Sequence, residues 1–332
     1  MKIRVTGHSF QGVFPFGSSG PWNNFERVLI DRGHTICGND YSEKADAIIA
    51  NSFNTEIRDY ILNSDIPKER RILVLWEPYI VEKTRYLPKV LELFGSVFAP
   101  SIDWADRVNG RAFSWPQDDF TSENVFENWE DRLNQAVMVQ GNKFSARKGE
   151  QYSLRRRTLS QTNIDELLLF GTNWNKGINF DWWHWSRSLI NSSWSDVSLK
   201  SLYGLGKINS QYAGESSNKS QTLKNFQISI VIENSSDFIS EKLFDSVRAG
   251  CLTLFVGPRL DRYGIPNDSA FEVSDDPKEI VALLRRLLQL DISEKKSLAK
   301  KQYDALKPIS RKWKNSTVLT SVAREMITVL ES

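Results

Sequence analysis

The sequence predicts an α/β protein of two Rossmann-like domains facing a cleft. Three observations carry that expectation. The stretch Ile228–Gly257, ISIVIENSSDFISEKLFDSVRAGCLTLFVG, reads as a strand–helix–strand unit. Its polar residues gather at the carboxyl end of the first strand, the edge where open α/β sheets bind nucleotides and sugars. Short apolar runs alternate with helical stretches from Ile3 to Ala99, the spacing of a parallel sheet. A chain of 332 residues also exceeds what one hydrophobic core usually organises, which gives two domains.

In the first half, Ile3–Val5 forms a strand ending in Gly7-His8-Ser9. The Gly/Ser/Pro/Phe loop from Gln11 to Pro21 lacks Gly-x-Gly-x-x-Gly spacing and is not a phosphate cradle. Trp22–Arg32 fits a helix closed by Gly33, and Ala47–Ala50 a short buried strand. Ile72–Trp76 is the strongest strand of this half and ends on Glu77-Pro78. Pro88–Phe94 is helical and Val97–Ala99 extended. The region Phe113–Trp129, with little periodicity, connects an amino-terminal domain over 1–125 to a carboxyl-terminal domain over 126–310.

The second half opens with a strand at Val137–Gln140, a helix around Tyr152–Ser160 and a strand Leu167–Phe170 closed by Gly171. Residues 173–194 are tryptophan-dense, and 204–220 is a polar, Gly/Ser-rich loop. In the unit that follows, Ile228–Ile232 is a buried strand. Ser240 caps a helix that stops at Gly250, and Leu252–Val256 is the second strand. Ala270–Val273 reads as a last strand and Glu279–Leu290 as an amphipathic helix. The terminal helix, about Ser316–Leu330 within 311–332, is expected to pack back on the first domain.

Composition excludes several classes. A net charge of +2 with both signs dispersed argues against nucleic acid as the partner. Cys37 and Cys251 sit far apart in apolar runs, as small core residues of a reducing compartment. His8, His34 and His184 show no metal-ligand spacing. The chain begins on the strand KIRVTG, which leaves no room for a signal peptide, and no apolar run is long enough to span a bilayer. The expectation is a cytoplasmic protein, free or in peripheral contact with a membrane.

The segment ENSSDFISEKLFDSVRAGCLTLFVGP resembles the donor-site motif of glycosyltransferase family 10, the α1,3/α1,4-fucosyltransferases. Members of that family carry a strand, Phe-Glu-Asn, a spacer, Thr-Glu-Lys-Leu, and a Gly before a Pro-containing strand. Glu233-Asn234 and Glu241-Lys242 match; Ser240 replaces the Thr and Ile232 the Phe. Upstream, Asn142, the basic helix SLRRRTL and LLLFG resemble the family's succession of Asn, Arg-bearing helix and strand ending in Gly. The resemblance covers about residues 137–290. In the amino-terminal half only LWEP at 75–78 is similar to the element bearing the family's catalytic base, and Pro-Tyr-Ile follows Glu77 instead of a Ser/Asn-rich stretch. The resemblance implies a GT-B arrangement and inverting transfer of fucose from GDP-fucose to a surface glycan or lipid-linked oligosaccharide.

The chemistry such a site needs can be assigned to residues. A nucleotide sugar leaves as a diphosphate, so the site must stabilise negative charge on the leaving oxygen. The sequence holds no Asp-x-Asp, so departure is expected without metal or cofactor, the nucleotide sugar being a co-substrate. Lys242 lies in the first turn of a helix, where the dipole also favours phosphate. Arg155 or Arg156 supplies a second cation, although a charge run such as 155–157 is more often a solvated face. Glu241 is placed to accept hydrogen bonds from ribose hydroxyls and Asn234 to hold the sugar or diphosphate; Glu233 belongs to the cluster without a defined role. Glu77 carries two readings, the base that deprotonates the acceptor hydroxyl or a simple strand-end carboxylate.

On the acceptor side, His8 and Ser9 are candidates beside their reading as a loop pair, and Trp182 or Trp183 beside their reading as core. The alternatives to a fucosyltransferase are a GT-B enzyme with another donor and a non-catalytic glycan- or nucleotide-binding protein. An RNA-binding protein using Arg155–Arg157 and the tryptophans is disfavoured by the balanced charge.

Overall fold

The computed structural model describes residues 1–6, 23–38, 40–120, 124–175, 197–204 and 210–332. The chain divides into two compact units, Met1–Asp119 with Arg311–Ser332, and Phe120–Ser310. Each is built on a parallel sheet of six strands among the described residues.

In the first unit the strands are β1 (Lys2–Thr6), β2 (Thr35–Cys37), β3 (Ala47–Ala50), β4 (Arg71–Val74), β5 (Ser96–Ala99) and β6 (Arg111–Ala112). Their order is β2-β1-β3-β4-β5-β6, so the strand order reverses between β1 and β3. The central strands are apolar on both faces because helices cover both sides. One face, with Ile3, Val5, Ile49, Ile72 and Val74, packs against the helix Asn23–Asp31 and against Val318, Leu319, Val322, Met326 and Leu330 of the terminal helix Asn315–Glu331. The other face, with Ile48, Leu73 and Val97, packs on Ile57 and Ile61 of the helix Thr55–Asn63. That helix is capped by Asn54, whose Oδ1 accepts from Ile57 N at 2.8 Å.

The second unit contains β7 (Leu133–Val139), β8 (Leu167–Phe170), β9 (Tyr212–Gly214), β10 (Phe226–Ile232), β11 (Leu252–Val256) and β12 (Phe271–Glu272). Their order is β12-β11-β10-β7-β8-β9. The chain therefore winds outward from β7 through β8 and β9, returns to the other side of β7 at β10, and continues through β11 to β12. The two central strands of the return, β10 and β11, are buried at every position, which is why they read as near-continuous apolar runs broken only by Gln227, Ser229 and Thr253. Helices Tyr152–Leu159 and Pro277–Gln289 cover one face through Leu154, Leu159, Ile280 and Leu284.

Several elements differ from the sequence reading. The polar stretch 204–220 holds β9 and the start of a helix, Lys219–Lys224. Short β2 and β6 flank the first sheet, and a 22-residue helix, Ile292–Trp313, contains Pro308. No helix among the described residues is long and apolar enough to cross a membrane.

Candidate active site

The second sheet has its crevice where the strand order reverses, between the carboxyl ends of β7 and β10, the place where doubly wound sheets take their ligands. The loops leaving these two strands are tied together there. Gln151 N donates to the Asn234 carbonyl at 3.0 Å and Ser236 N to the Gly149 carbonyl at 3.3 Å. The loop after β7 thus lies antiparallel to the loop after β10, with Glu150 bridging Ser235.

Glu233, the first residue beyond β10, is fully buried. Its Oε1 accepts from Ser240 N at 2.8 Å and its Oε2 from Ser240 Oγ at 2.7 Å. Lys242 Nζ donates to Ser240 Oγ at 2.7 Å and approaches Glu233 Oε2 at 3.4 Å. Ser240 also accepts from Lys242 N and so caps the helix Glu241–Arg248. A buried carboxylate is stable only when its oxygens are paired, and the three side chains meet that need reciprocally. A glycine makes room for them: a Cβ on Gly257, which follows β11, would lie 3.1 Å from Glu233 Cγ and 2.5 Å from Phe255 Cζ.

Glu241 points into a second ion network, with Oε1 3.6 Å from Lys219 Nζ and 3.7 Å from Lys242 Nζ. Burial pushes its carboxyl up, but Lys242 and Lys219 outweigh it and hold it at about 2. The side chain remains 46% exposed and able to meet a ligand hydroxyl.

The arginines expected to face phosphate do something else. Arg155, 1% exposed, donates from Nε and Nη2 to the Ile232 carbonyl at 3.2 and 2.7 Å. It also donates from Nη1 to the Gly141 carbonyl at 3.2 Å and from Nη2 to Asn234 Oδ1 at 2.9 Å. It thus joins the carboxyl ends of β7 and β10. Arg156, also buried, donates to the carbonyls of Tyr203 and Ser201, each at 2.7 Å, and to Asn142 Oδ1 at 3.1 Å. Both side chains position loops. Asn234 is buried, with its Oδ1 held by Arg155.

Of the cations that line this edge among the described residues, sequence reasoning missed Lys148 and Lys200 and left open which arginine of 155–157 joins them. Lys148, Arg157 and Lys200 line a cavity of about 460 Å³ together with Gly149, Glu150, Ser153, Ser198 and Ser236. The run 155–157 drew attention for its charge, but only its third member reaches this cavity.

Glu77 belongs to the first unit, three residues beyond β4, and is half-buried. Its carbonyl accepts from Tyr86 Oη at 2.7 Å. Its neighbour Trp76 donates from Nε1 to Asn51 Oδ1 at 3.0 Å and meets Phe113 and Trp115 edge-on at 5.0 and 5.9 Å. Arg85 Nη1 donates to the carbonyls of Asn51 and Val74 at 2.7 and 3.3 Å. The ends of β3 and β4 are therefore a rigid platform under Glu77. His8, Ser9, Trp182 and Trp183 lie outside the described residues.

No family model matches, and no curated protein sequence matches. Solved structures do. Anabaena HepE, in complex with UDP and glucose, is similar with a TM-score of 0.55 at 11% identity over 99% of this chain and all of that one. An α1,3-fucosyltransferase gives a TM-score of 0.55 at 12% identity over 100% of this chain and 90% of that one. A glycosyltransferase from Rickettsia africae gives 0.52 at 12% identity, covering 100% and 99%. The fold is GT-B. At these identities the likeness establishes architecture, two Rossmann-like units in one chain.

Proposed function

We propose that this protein is a glycosyltransferase that takes a sugar from a nucleotide donor seated over the carboxyl edge of β7 and β10. The observation that carries the reading is the Glu233–Ser240–Lys242 cluster at the point where the strand order reverses, beside a helix amino terminus. Lys242 has three N–H donors and commits two of them, to Ser240 and Glu233, which leaves the third, beside Glu241, for a ligand oxygen. With the helix dipole it would stabilise charge on the departing diphosphate, needing no metal or other cofactor. Glu241, ionised and half-exposed, suits a pair of ribose hydroxyls. Asn234, clamped by Arg155, offers its Nδ2 to the sugar or diphosphate.

The finer reading is that of a family-10 type fucosyltransferase, with the second unit binding GDP-fucose and the first the acceptor. Glu77 takes the proton from an acceptor hydroxyl as its oxygen attacks the anomeric carbon. The carbon–oxygen bond to the diphosphate breaks and carries its electron pair away, so configuration inverts. The acceptor class is a surface glycan or lipid-linked oligosaccharide, met in the cytoplasm or at a membrane surface.

A thermal-shift panel tests this. GDP should raise the melting temperature more than UDP or CMP, because a ligand that binds only the native state stabilises it. A shift with UDP and none with GDP removes fucose as the donor sugar and leaves the transferase. No shift with any nucleotide removes the transferase.

A further inference from the structure

We propose that the cavity lined by Lys148, Arg157 and Lys200 is a phosphate subsite, in which these three cations take the place in anion binding that Arg155 and Arg156 cannot fill. The inference rests on the reading of this edge as a nucleotide-sugar site and names the side chains that would hold the phosphates.

Three features support it. Arg155 and Arg156 are buried and donate to carbonyl and amide oxygens of the protein, so neither guanidinium is open to a ligand. Arg157, in contrast, lines the cavity and has an Nε with no hydrogen-bond partner although solvent does not reach that atom. That N–H is closed to a ligand as it is to water, so what Arg157 brings to the cavity wall is the positive charge delocalised over its guanidinium. Lys148 and Lys200 approach the same space from two different segments, the loop after β7 and the stretch 197–204, and both are exposed.

The three cations outnumber the two acids at the cavity, Glu150 and Asp275, which leaves the lining positive. Glu150 turns both oxygens to the helix, accepting from Ser153 N at 2.9 Å and Ser153 Oγ at 2.5 Å. Asp275 is exposed on the lining. Ser198 and Ser236, with the backbone of Gly149, complete a polar wall for phosphate oxygens. The cavity adjoins the candidate active site, since Ser236 N bonds Gly149 and Gln151 N bonds Asn234. A phosphate group could arrive as the diphosphate of the donor or as a phosphorylated acceptor.

The test uses the full chain and its Lys148→Gln, Lys200→Gln double variant; both side chains are exposed, so the fold should survive. Arg157→Gln is the second variant. Calorimetric titration with inorganic pyrophosphate, GDP and guanosine should show pyrophosphate and GDP binding weakened about tenfold or more in each variant, one decade being about 1.4 kcal/mol. Guanosine binding should not change. Equal affinity of all three proteins for GDP and pyrophosphate overturns the subsite while leaving the nucleotide site intact. Binding of pyrophosphate that depends on the cations, with GDP bound no more tightly than pyrophosphate, keeps the subsite and removes GDP as the donor nucleotide. Absence of pyrophosphate binding to the unaltered protein overturns the subsite.

Discussion

Glu233 and Lys242, nine positions apart in sequence, meet at 3.4 Å through a shared partner, Ser240, whose Oγ donates to the first and accepts from the second. The end of β10 and the start of the next helix are thereby one hydrogen-bonded object.

Ser240→Ala should therefore cost more than an ordinary helix cap. It removes the cap and one bond to a buried carboxylate, together about 2 kcal/mol, although capping alone is worth about 1. Urea unfolding measures the loss; a value within error of zero means the cluster does not hold this edge together.

Arg155→Lys should destabilise the protein in the absence of any ligand, by about 3 kcal/mol, because an ammonium cannot reach the Ile232, Gly141 and Asn234 oxygens with one geometry. A variant as stable as the original but weakened in nucleotide binding would return Arg155 to the role of a direct ligand contact.

Glu241 gives a pH signature. Its folded-state value of about 2 lies below the ordinary glutamate value of about 4.3. The stabilisation is then complete above that ordinary value and is lost as pH falls toward 2. Solvent reaches the side chain, so the effect is modest. Stability curves of the protein and of Glu241→Gln should converge in acid, and parallel curves from pH 7 to pH 3 would sink the assignment.

Glu77→Gln should leave GDP binding unchanged and lower turnover by at least a hundredfold if Glu77 is the base. Retained turnover makes Glu77 an ordinary strand-end carboxylate; retained binding with no activity in either protein favours a binding module.

Gly257→Ala should push on Glu233 and Phe255 at once, at a cost of about 2 kcal/mol. A neutral substitution would show that the end of β11 can shift.

The central strands were legible because burial on both faces leaves apolar runs such as Phe226–Ile232 and Leu252–Val256, and turn residues mark their ends. The Ser240 cap was legible for the same local reason. The helix Ile292–Trp313 was not, since Pro308 reads as a breaker and its lysines hide the apolar stripe. Nor could sequence say which way the three arginines of 155–157 face. That depends on carbonyl oxygens of Ile232, Ser201 and Tyr203, brought near by the tertiary fold.

The helix Asn315–Glu331 supplies part of the core under β1 and β3 although the whole second unit precedes it in the chain. During synthesis the first 119 residues must wait, with that apolar surface unsatisfied, until residues 315–331 have been made. An amino-terminal fragment alone should behave as an aggregation-prone intermediate, and adding the terminal peptide in trans should rescue it.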